Sequence, residues 1–185
     1  MPRQRITPLT VGTAQRALSG LAKVGFAAVL AAALVPAPSE AASSSSEARV
    51  EPCVAAHLTV QKGTTEAATS HRYTRFRLTN TGDSACRLDG FPTFRFRNAQ
   101  GDVIGFSSVP ADVTAHVVVL DPGEHTRVTL GRVVPGPVPR QECRPRRTAS
   151  VDLQLAYRPH VYNLPYSARV CTTRDYRPTA YPVGF

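Results

Sequence analysis

Apolar and polar residues alternate at every second position in run after run of this chain, a period that dictates strands rather than helices. Val54, Ala56, Leu58 and Val60 alternate with polar or small neighbours, Phe76 and Leu78 with Arg75, Arg77 and Thr79, and Phe94 and Phe96 with Thr93, Arg95 and Arg97. Thr126, Val128 and Leu130 alternate with Arg127 and Thr129. Val151, Leu153, Leu155 and Tyr157 alternate with Asp152, Gln154 and Ala156. Each such run buries one face and wets the other. The unbroken apolar run Val117-Val118-Val119-Leu120 predicts a more deeply buried strand.

Turn signals separate the runs: Asn80-Thr81-Gly82-Asp83, Asp89-Gly90, 98–102 (NAQGD) and Asp121-Pro122-Gly123. Gly82 and Gly101 stand where a turn calls for positive φ. No segment beyond the leader offers a long amphipathic helix, and the scattered prolines oppose one. Short strands with regular turns in a domain of this size predict an all-β fold, an antiparallel two-sheet sandwich, with a closed barrel as the alternative. Residues 135–147 (PGPVPRQECRPRR) read as a Pro- and Arg-rich loop. Residues 174–185, with Tyr176, Tyr181 and Phe185, read as an extended tail, either packed on the sandwich or a ragged end.

The leader constrains location. Residues 1–23 carry Arg3, Arg5, Arg16 and Lys23 and no acid, and residues 24–35 (VGFAAVLAAALV) are uncharged and apolar. Small residues and prolines follow. A basic start, a short apolar run and a small-residue end make a secretory signal peptide, predicted over 1–41. The apolar run is shorter than the roughly 20 residues that span a bilayer, so no transmembrane anchor is expected after cleavage. Residues 42–52, with Ser43 to Ser46 in a row, read as a Ser-rich linker, 53–173 as the sandwich domain and 174–185 as the tail.

Four cysteines, Cys53, Cys86, Cys143 and Cys171, all follow the leader. An even count in an exported chain implies two disulfides. Of the three possible pairings, Cys53–Cys86 with Cys143–Cys171 is the expected one. Each closes a loop of about 30 residues, worth about 3–4 kcal/mol in the chain-entropy model. Zinc would want closely spaced pairs, and no two of these cysteines are close.

The formal net charge is +9, from 22 Lys and Arg against 13 Asp and Glu. Nearly all the bases are arginine, Lys23 and Lys62 being the two lysines. Together with abundant Ala, Pro, Val and Gly, this has the bias of a GC-rich genome, so part of the charge is compositional. A positive domain nevertheless suits an anionic partner.

The order Asn80-Thr81-Gly82, Cys86-Arg87-Leu88, Gly90-Phe91-Pro92 and Leu120-Asp121-Pro122-Gly123, with Cys53 opening and Cys143 and Cys171 closing the set, resembles an actinobacterial exported family known as domain of unknown function 4232. The resemblance covers roughly 53–173. It implies a secreted or lipid-anchored, immunoglobulin-like β-sandwich behind a flexible linker, and no catalytic residues. The motif residues Asn80, Thr81, Gly82, Leu88, Gly90, Phe91, Pro92, Leu120, Pro122 and Gly123 then read as structural. The chain departs from the family in lacking a lipid-attachment cysteine after the apolar run and in its Tyr/Pro-rich end.

No H-E-x-x-H, G-x-S-x-G, S-x-x-K or Gly-rich phosphate loop is present. The five histidines are scattered, although His116 and His125 are placed to approach across a hairpin. No metal or cofactor is expected, and the chain is not expected to be an enzyme. The sharper signal is arginine. Arg75 and Arg77, Arg95 and Arg97, and Arg127 point outward from three predicted strands. If those strands are neighbours, these arginines form one anion-binding face, guanidinium forks matching phosphate and carboxylate. Arg144, Arg146 and Arg147 add a loop cluster. No aromatics are expected between the outward arginines, which disfavours nucleic acid.

The reading is therefore a secreted or cell-envelope, non-catalytic domain whose partner is a protein or an anionic envelope polymer. The alternatives are a structural spacer of the envelope and an extracellular enzyme with an unrecognised site. A continuous arginine surface would favour binding, a cleft with converging perturbed acids an enzyme, and an evenly polar surface a spacer.

Overall fold

The computed structural model describes residues 49–185. The expected signal peptide, and the linker up to residue 48, lie outside the described residues. Eleven strands follow in order: β1 (Leu58–Ala68), β2 (His71–Asn80), β3 (Cys86–Leu88), β4 (Thr93–Arg97), β5 (Val103–Ile104), β6 (Val109–Pro110), β7 (Val118–Leu120), β8 (His125–Val133), β9 (Arg146–Gln154), β10 (Val161–Val170) and β11 (Thr179–Tyr181). A single helical turn, α1 (Arg140–Cys143), precedes β9, and 3-10 turns lie at Ala55–His57 and Arg174–Tyr176.

One sheet has the order β1-β2-β8-β11-β6 and the other β10-β9-β4-β5, with β3 and β7 forming a small ribbon. All pairings between strands are antiparallel except β11 with β6. The alternation explains the layering. Phe76 stands opposite Val128 across β2 and β8, and Phe96 opposite Val151 across β4 and β9. The two inner faces meet at Phe76 and Phe94, whose ring centroids are 5.4 Å apart, and Tyr166 packs on Phe96 at 5.7 Å. Phe76, Phe94, Leu78, Leu130 and Leu153 are fully buried, each worth about 1.5–3 kcal/mol of burial.

Several polar groups at the centre of this core pair with one another. The Tyr166 and Thr74 hydroxyls share a hydrogen bond at 3.2 Å, and Arg132 Nε donates to the Tyr166 hydroxyl at 2.9 Å. Asp152 is buried on the far side of β9. It accepts from Arg97 Nε at 2.7 Å and from Asn163 Nδ2 at 2.8 Å.

The disulfides join Cys53 to Cys86 and Cys143 to Cys171. The first fastens the N-terminal segment to β3, where Cys53 N donates to Arg87 O at 3.0 Å and Arg87 N to Glu51 O at 2.9 Å.

Four expectations change. The first strand begins at Leu58, because residues 55–57 form a 3-10 turn that leaves Val54 exposed. Within the run 117–120 only Leu120 is buried; Val117 and Val119 face solvent because β7 pairs with β3 alone, outside the two sheets. Gly82 has no positive φ, although Gly101 does. A Cβ on Gly82 would lie 3.0–3.1 Å from Nδ1, Cβ and Cγ of His57, so closeness, not dihedral freedom, selects glycine there. Finally, the segment set apart as a tail supplies β11, which lies between β8 and β6 inside the five-stranded sheet.

The shared motifs turn out to dock on one another. Asn80 is buried at the end of β2. Its Nδ2 donates to Ser84 O at 2.8 Å and to Leu120 O at 3.0 Å, and its Oδ1 accepts from Gly82 N at 3.0 Å. Gly123 N donates to Asn80 O at 2.8 Å. Gly90, with φ +73°, is held beneath Ala156, and its carbonyl accepts from Val183 N at 3.2 Å.

Candidate functional site

The five arginines expected to share one face are divided between two. Arg75, Arg77 and Arg127 lie on the outer face of the five-stranded sheet, where Arg77 stands opposite Arg127. Arg95 and Arg97 lie on β4 in the other sheet, on the opposite side of the sandwich. Alternation places a side chain in or out but does not say which sheet its strand joins. The two groups are also largely engaged. Arg75 pairs with Glu66, and Arg77 Nη2 meets His125 Nδ1 at 2.9 Å. Arg127 Nε donates to Phe185 O at 2.7 Å, and Arg97 pairs with Asp152.

Nor is the outer face free of aromatics. Tyr73, Tyr181 and Phe185 line a hollow there with Arg75 and Arg127. Tyr181 stacks on Phe185 at 4.5 Å and meets Tyr73 edge-on at 5.9 Å. Burial first, and then Tyr73, pushes the Tyr181 hydroxyl above its usual range. Two of these rings arrive with β11, whose place beside β8 no local pattern announces.

A different arginine group forms a cleft. Arg140, Arg144, Arg146 and Arg169 line a cavity of about 610 Å³ with Ile104, Pro145 and Thr172 among its walls. A neighbouring cavity of about 490 Å³ shares Arg140, Pro145 and Arg169 with it and adds Arg72 and Arg132. No acidic residue lines either. Among the described residues, no ion pair reaches any of these six arginines.

The local sequence builds this cleft. Pro139 precedes α1 with an extended ψ, and Arg144 ends it in the left-handed region at φ +44°, its N–H donating to Arg140 O at 2.8 Å. Pro145 then directs the chain into β9. Cys143 is buried and bonded to Cys171 at the end of β10, Thr172 N donates to Cys143 O at 2.8 Å, and Thr172 Oγ1 to Arg144 O at 2.7 Å. Arg140, Arg144 and Arg146 thus lie within three residues of one cysteine and Arg169 two residues from its partner. Arg169 also stands directly opposite Arg147 across β9 and β10. Like charges so placed repel, and an anion between them relieves the cost.

The sequence pointed to this Pro- and Arg-rich loop, which holds Arg140, and to Arg144, Arg146 and Arg147 in it, but missed Arg72, Arg132 and Arg169. These three come from β2, β8 and β10, and only the fold gathers them. His116 and His125 join no metal-type cluster: among the described residues no group of three or more His, Cys, Asp or Glu side chains comes together. No described helix is long and apolar enough to cross a membrane.

The geometry defines a disulfide-stapled β-sandwich with an arginine-lined cleft at one corner. The chain belongs to the family described as "Domain of unknown function (DUF4232)", whose model matches residues 53–179. The matched stretch holds all four cysteines and every docking motif described above, and it runs into β11. No curated protein matches the chain. Among solved structures, the chain is similar to a β-glucosidase from Kluyveromyces marxianus at 13% identity, with a TM-score of 0.31, over 66% of this chain and 15% of that one. A likeness of that size carries no argument about fold or activity.

Proposed function

We propose that the protein is a non-catalytic binding domain that works outside the cytoplasm and holds an anionic envelope polymer in the cleft of Arg140, Arg144, Arg146 and Arg169. The carrying observation is four arginines, extended by Arg72 and Arg132, around joined cavities without a carboxylate. Guanidinium groups match phosphate and carboxylate as planar forks. Two disulfides suit an oxidising compartment. Among the described residues the one buried carboxylate, Asp152, is committed to Arg97 and Asn163, which favours binding over acid–base chemistry.

Binding of the protein to poly(glycerol phosphate) across a salt series tests this reading. Four neutralised phosphates give a log–log salt slope on the order of −3, at about −0.7 per contact on a flexible single-stranded polyanion. Changing Arg140, Arg144, Arg146 and Arg169 together to Ala abolishes binding, whereas changing Arg75, Arg77 and Arg127 leaves most of it. The reverse result would move the site to the sheet face. No binding at low salt would remove the polymer and leave a protein partner or a spacer.

A further inference from the structure

The outer face of the five-stranded sheet carries two adjoining hollows. One, of about 340 Å³, is lined by Arg75, Arg77, His125 and Arg127, with Gly63 and Thr64 from the bulge in β1. The other, of about 500 Å³, adds Glu66, Tyr73, Tyr181 and Phe185. Arg75 and Arg127 line both, so the two form one surface. The strand register explains the grouping. Arg77 stands opposite Arg127, Arg75 and Tyr181 flank Thr129, and Tyr73 stands opposite Gly131. Gly131 makes room for the aromatic part: a Cβ there would lie 3.2 Å from both Tyr73 Cε1 and Tyr181 Cε2.

Among the described residues, three guanidinium groups share these hollows with a single carboxylate, Glu66. Arg77 and Arg127 are direct cross-strand neighbours of like charge, an arrangement that costs stability. Each guanidinium has five N–H donors. The contacts already described, to Glu66, His125 Nδ1 and Phe185 O, engage one nitrogen apiece. Arg77 and Arg127 are exposed, which leaves guanidinium donors within reach of an incoming anion. The Phe185 ring beside them is 49% exposed and stacks on Tyr181, so one of its faces is backed and the other is open.

We propose that this face is a second binding site, for an acidic saccharide whose rings carry a carboxylate, as in an oligouronate. A sugar ring has an apolar C–H face and a rim of hydroxyls. The Phe185 ring and the tilted pair of Tyr73 and Tyr181 offer apolar surface to that face. Glu66, exposed at the rim, accepts from sugar hydroxyls. The arginines take the carboxylate as planar forks, and its charge relieves the repulsion between Arg77 and Arg127. Glu66 also sets the choice against nucleic acid. It stands opposite Tyr73, beside the rings on which bases would stack, and there it repels a phosphodiester. A neutral saccharide would leave the arginine repulsion unrelieved, and a string of charges without rings would leave the aromatics unused.

The test titrates the full chain with trigalacturonate, beside its methyl ester, a short polyacrylate and oligothymidylate, by calorimetry and by chemical-shift mapping. Trigalacturonate is expected to bind with a Kd below about 1 mM and to shift the Tyr73, Tyr181 and Phe185 resonances. The methyl ester keeps the rings and loses the charge, and should bind at least about tenfold more weakly, since a hydrogen bond to a charged group is worth about that factor or more. Polyacrylate keeps the charge and lacks the rings, and should shift these resonances only at several-fold higher concentration. Arg77→Ala should lose about tenfold and Phe185→Ala about fivefold. Both side chains are exposed, so the melting temperature should hold. Changing the four cleft arginines to Ala should leave the Tyr73, Tyr181 and Phe185 shifts in place, which separates this site from the polymer cleft. The proposal is overturned by equal affinity for the methyl ester or polyacrylate, by tighter binding of oligothymidylate, or by full affinity in Phe185→Ala. Shifts confined to Arg140, Arg144 and Arg169, or no shift at the aromatic residues, would overturn it too.

Discussion

The side chain of Asn80 and the carbonyl of Leu120 are joined by a 3.0 Å hydrogen bond across 40 residues of sequence. That bond ties the turn after β2 to the end of β7 and makes two separate sequence motifs one structural unit. Asn80→Ala removes three hydrogen bonds at a buried position and is expected to cost about 2–3 kcal/mol. Denaturant unfolding should show a lower midpoint at an unchanged slope. Asn80→Asp should cost at least as much near neutral pH, because it sets a carboxylate against the Ser84 and Leu120 carbonyls.

Arg95 and Arg97 are two residues apart on one strand face yet differ in what they hold. Arg97 neutralises buried Asp152, and Arg95 makes no ion pair among the described residues. Arg97→Ala is expected to lose about 2–3 kcal/mol, cushioned by Asn163, whereas Arg95→Ala should stay within about 0.5 kcal/mol. Thermal unfolding of the two variants decides it.

Two glycines of the shared motifs are required for different reasons. At Gly90 a Cβ would meet Ala156 Cβ at 2.8 Å, and φ is +73°. Gly90→Ala should cost about 1–3 kcal/mol. At Gly82 the obstruction is the exposed His57 side chain, whose ring can turn but whose Cβ is fixed to the backbone. Gly82→Ala should cost about 1 kcal/mol, and His57→Ala, which removes Nδ1 and Cγ but keeps Cβ, should relieve only part of that. Unfolding curves of the single and double variants check both.

The strands of the core were readable because Phe76, Phe94, Val128 and Val151 mark a strict period of two. So was the disulfide framework, whose four cysteines are far apart in sequence and follow an export-type leader. Strand β10 was not recognised. Tyr162, Leu164, Tyr166, Ala168 and Val170 do alternate along it, but Pro165 interrupts, and a proline suits the edge position that β10 occupies. The division of the arginines was illegible for a deeper reason. Outward orientation is local, whereas sheet membership depends on contacts between distant segments. The cleft was half legible, since α1 and its flanks advertise their arginines in sequence while Arg72, Arg132 and Arg169 reach it only through tertiary structure.

Tyr162 is expected to impose an alkaline limit. Burial raises its hydroxyl above the ordinary value of 10.0. The folded state therefore holds that proton more tightly than the unfolded chain. Its contribution to stability is complete below pH 10 and is lost as pH rises through the folded value. Tyr162→Phe should flatten the stability profile from about pH 9 upward. Denaturant midpoints across that range, for both proteins, measure the difference.

Breaking the Cys143–Cys171 bond by changing both residues to Ala is expected to cost about 2–5 kcal/mol. It should also weaken polymer binding more than Asn80→Ala does, even if the two variants are equally destabilised. Asn80 lies eight residues along β2 from Arg72, roughly 26 Å at about 3.3 Å per residue. Salt-series binding of the two variants, at a temperature where both are folded, makes the comparison.

That bond has a wider consequence. Four guanidinium groups repel one another, and a loop free to relax would let them spread apart. The covalent link between Cys143 and Cys171 confines them, so that on the proposed reading a polyanion would meet an assembled field and would not have to order the loop itself. Without that bond, Arg146 and Arg169 remain placed by the β9–β10 ladder, and Arg140 and Arg144 are held through the chain and the bonds around Thr172. If the cleft holds a polyanion as proposed, its affinity would be lower with the thiols reduced than with the bond formed.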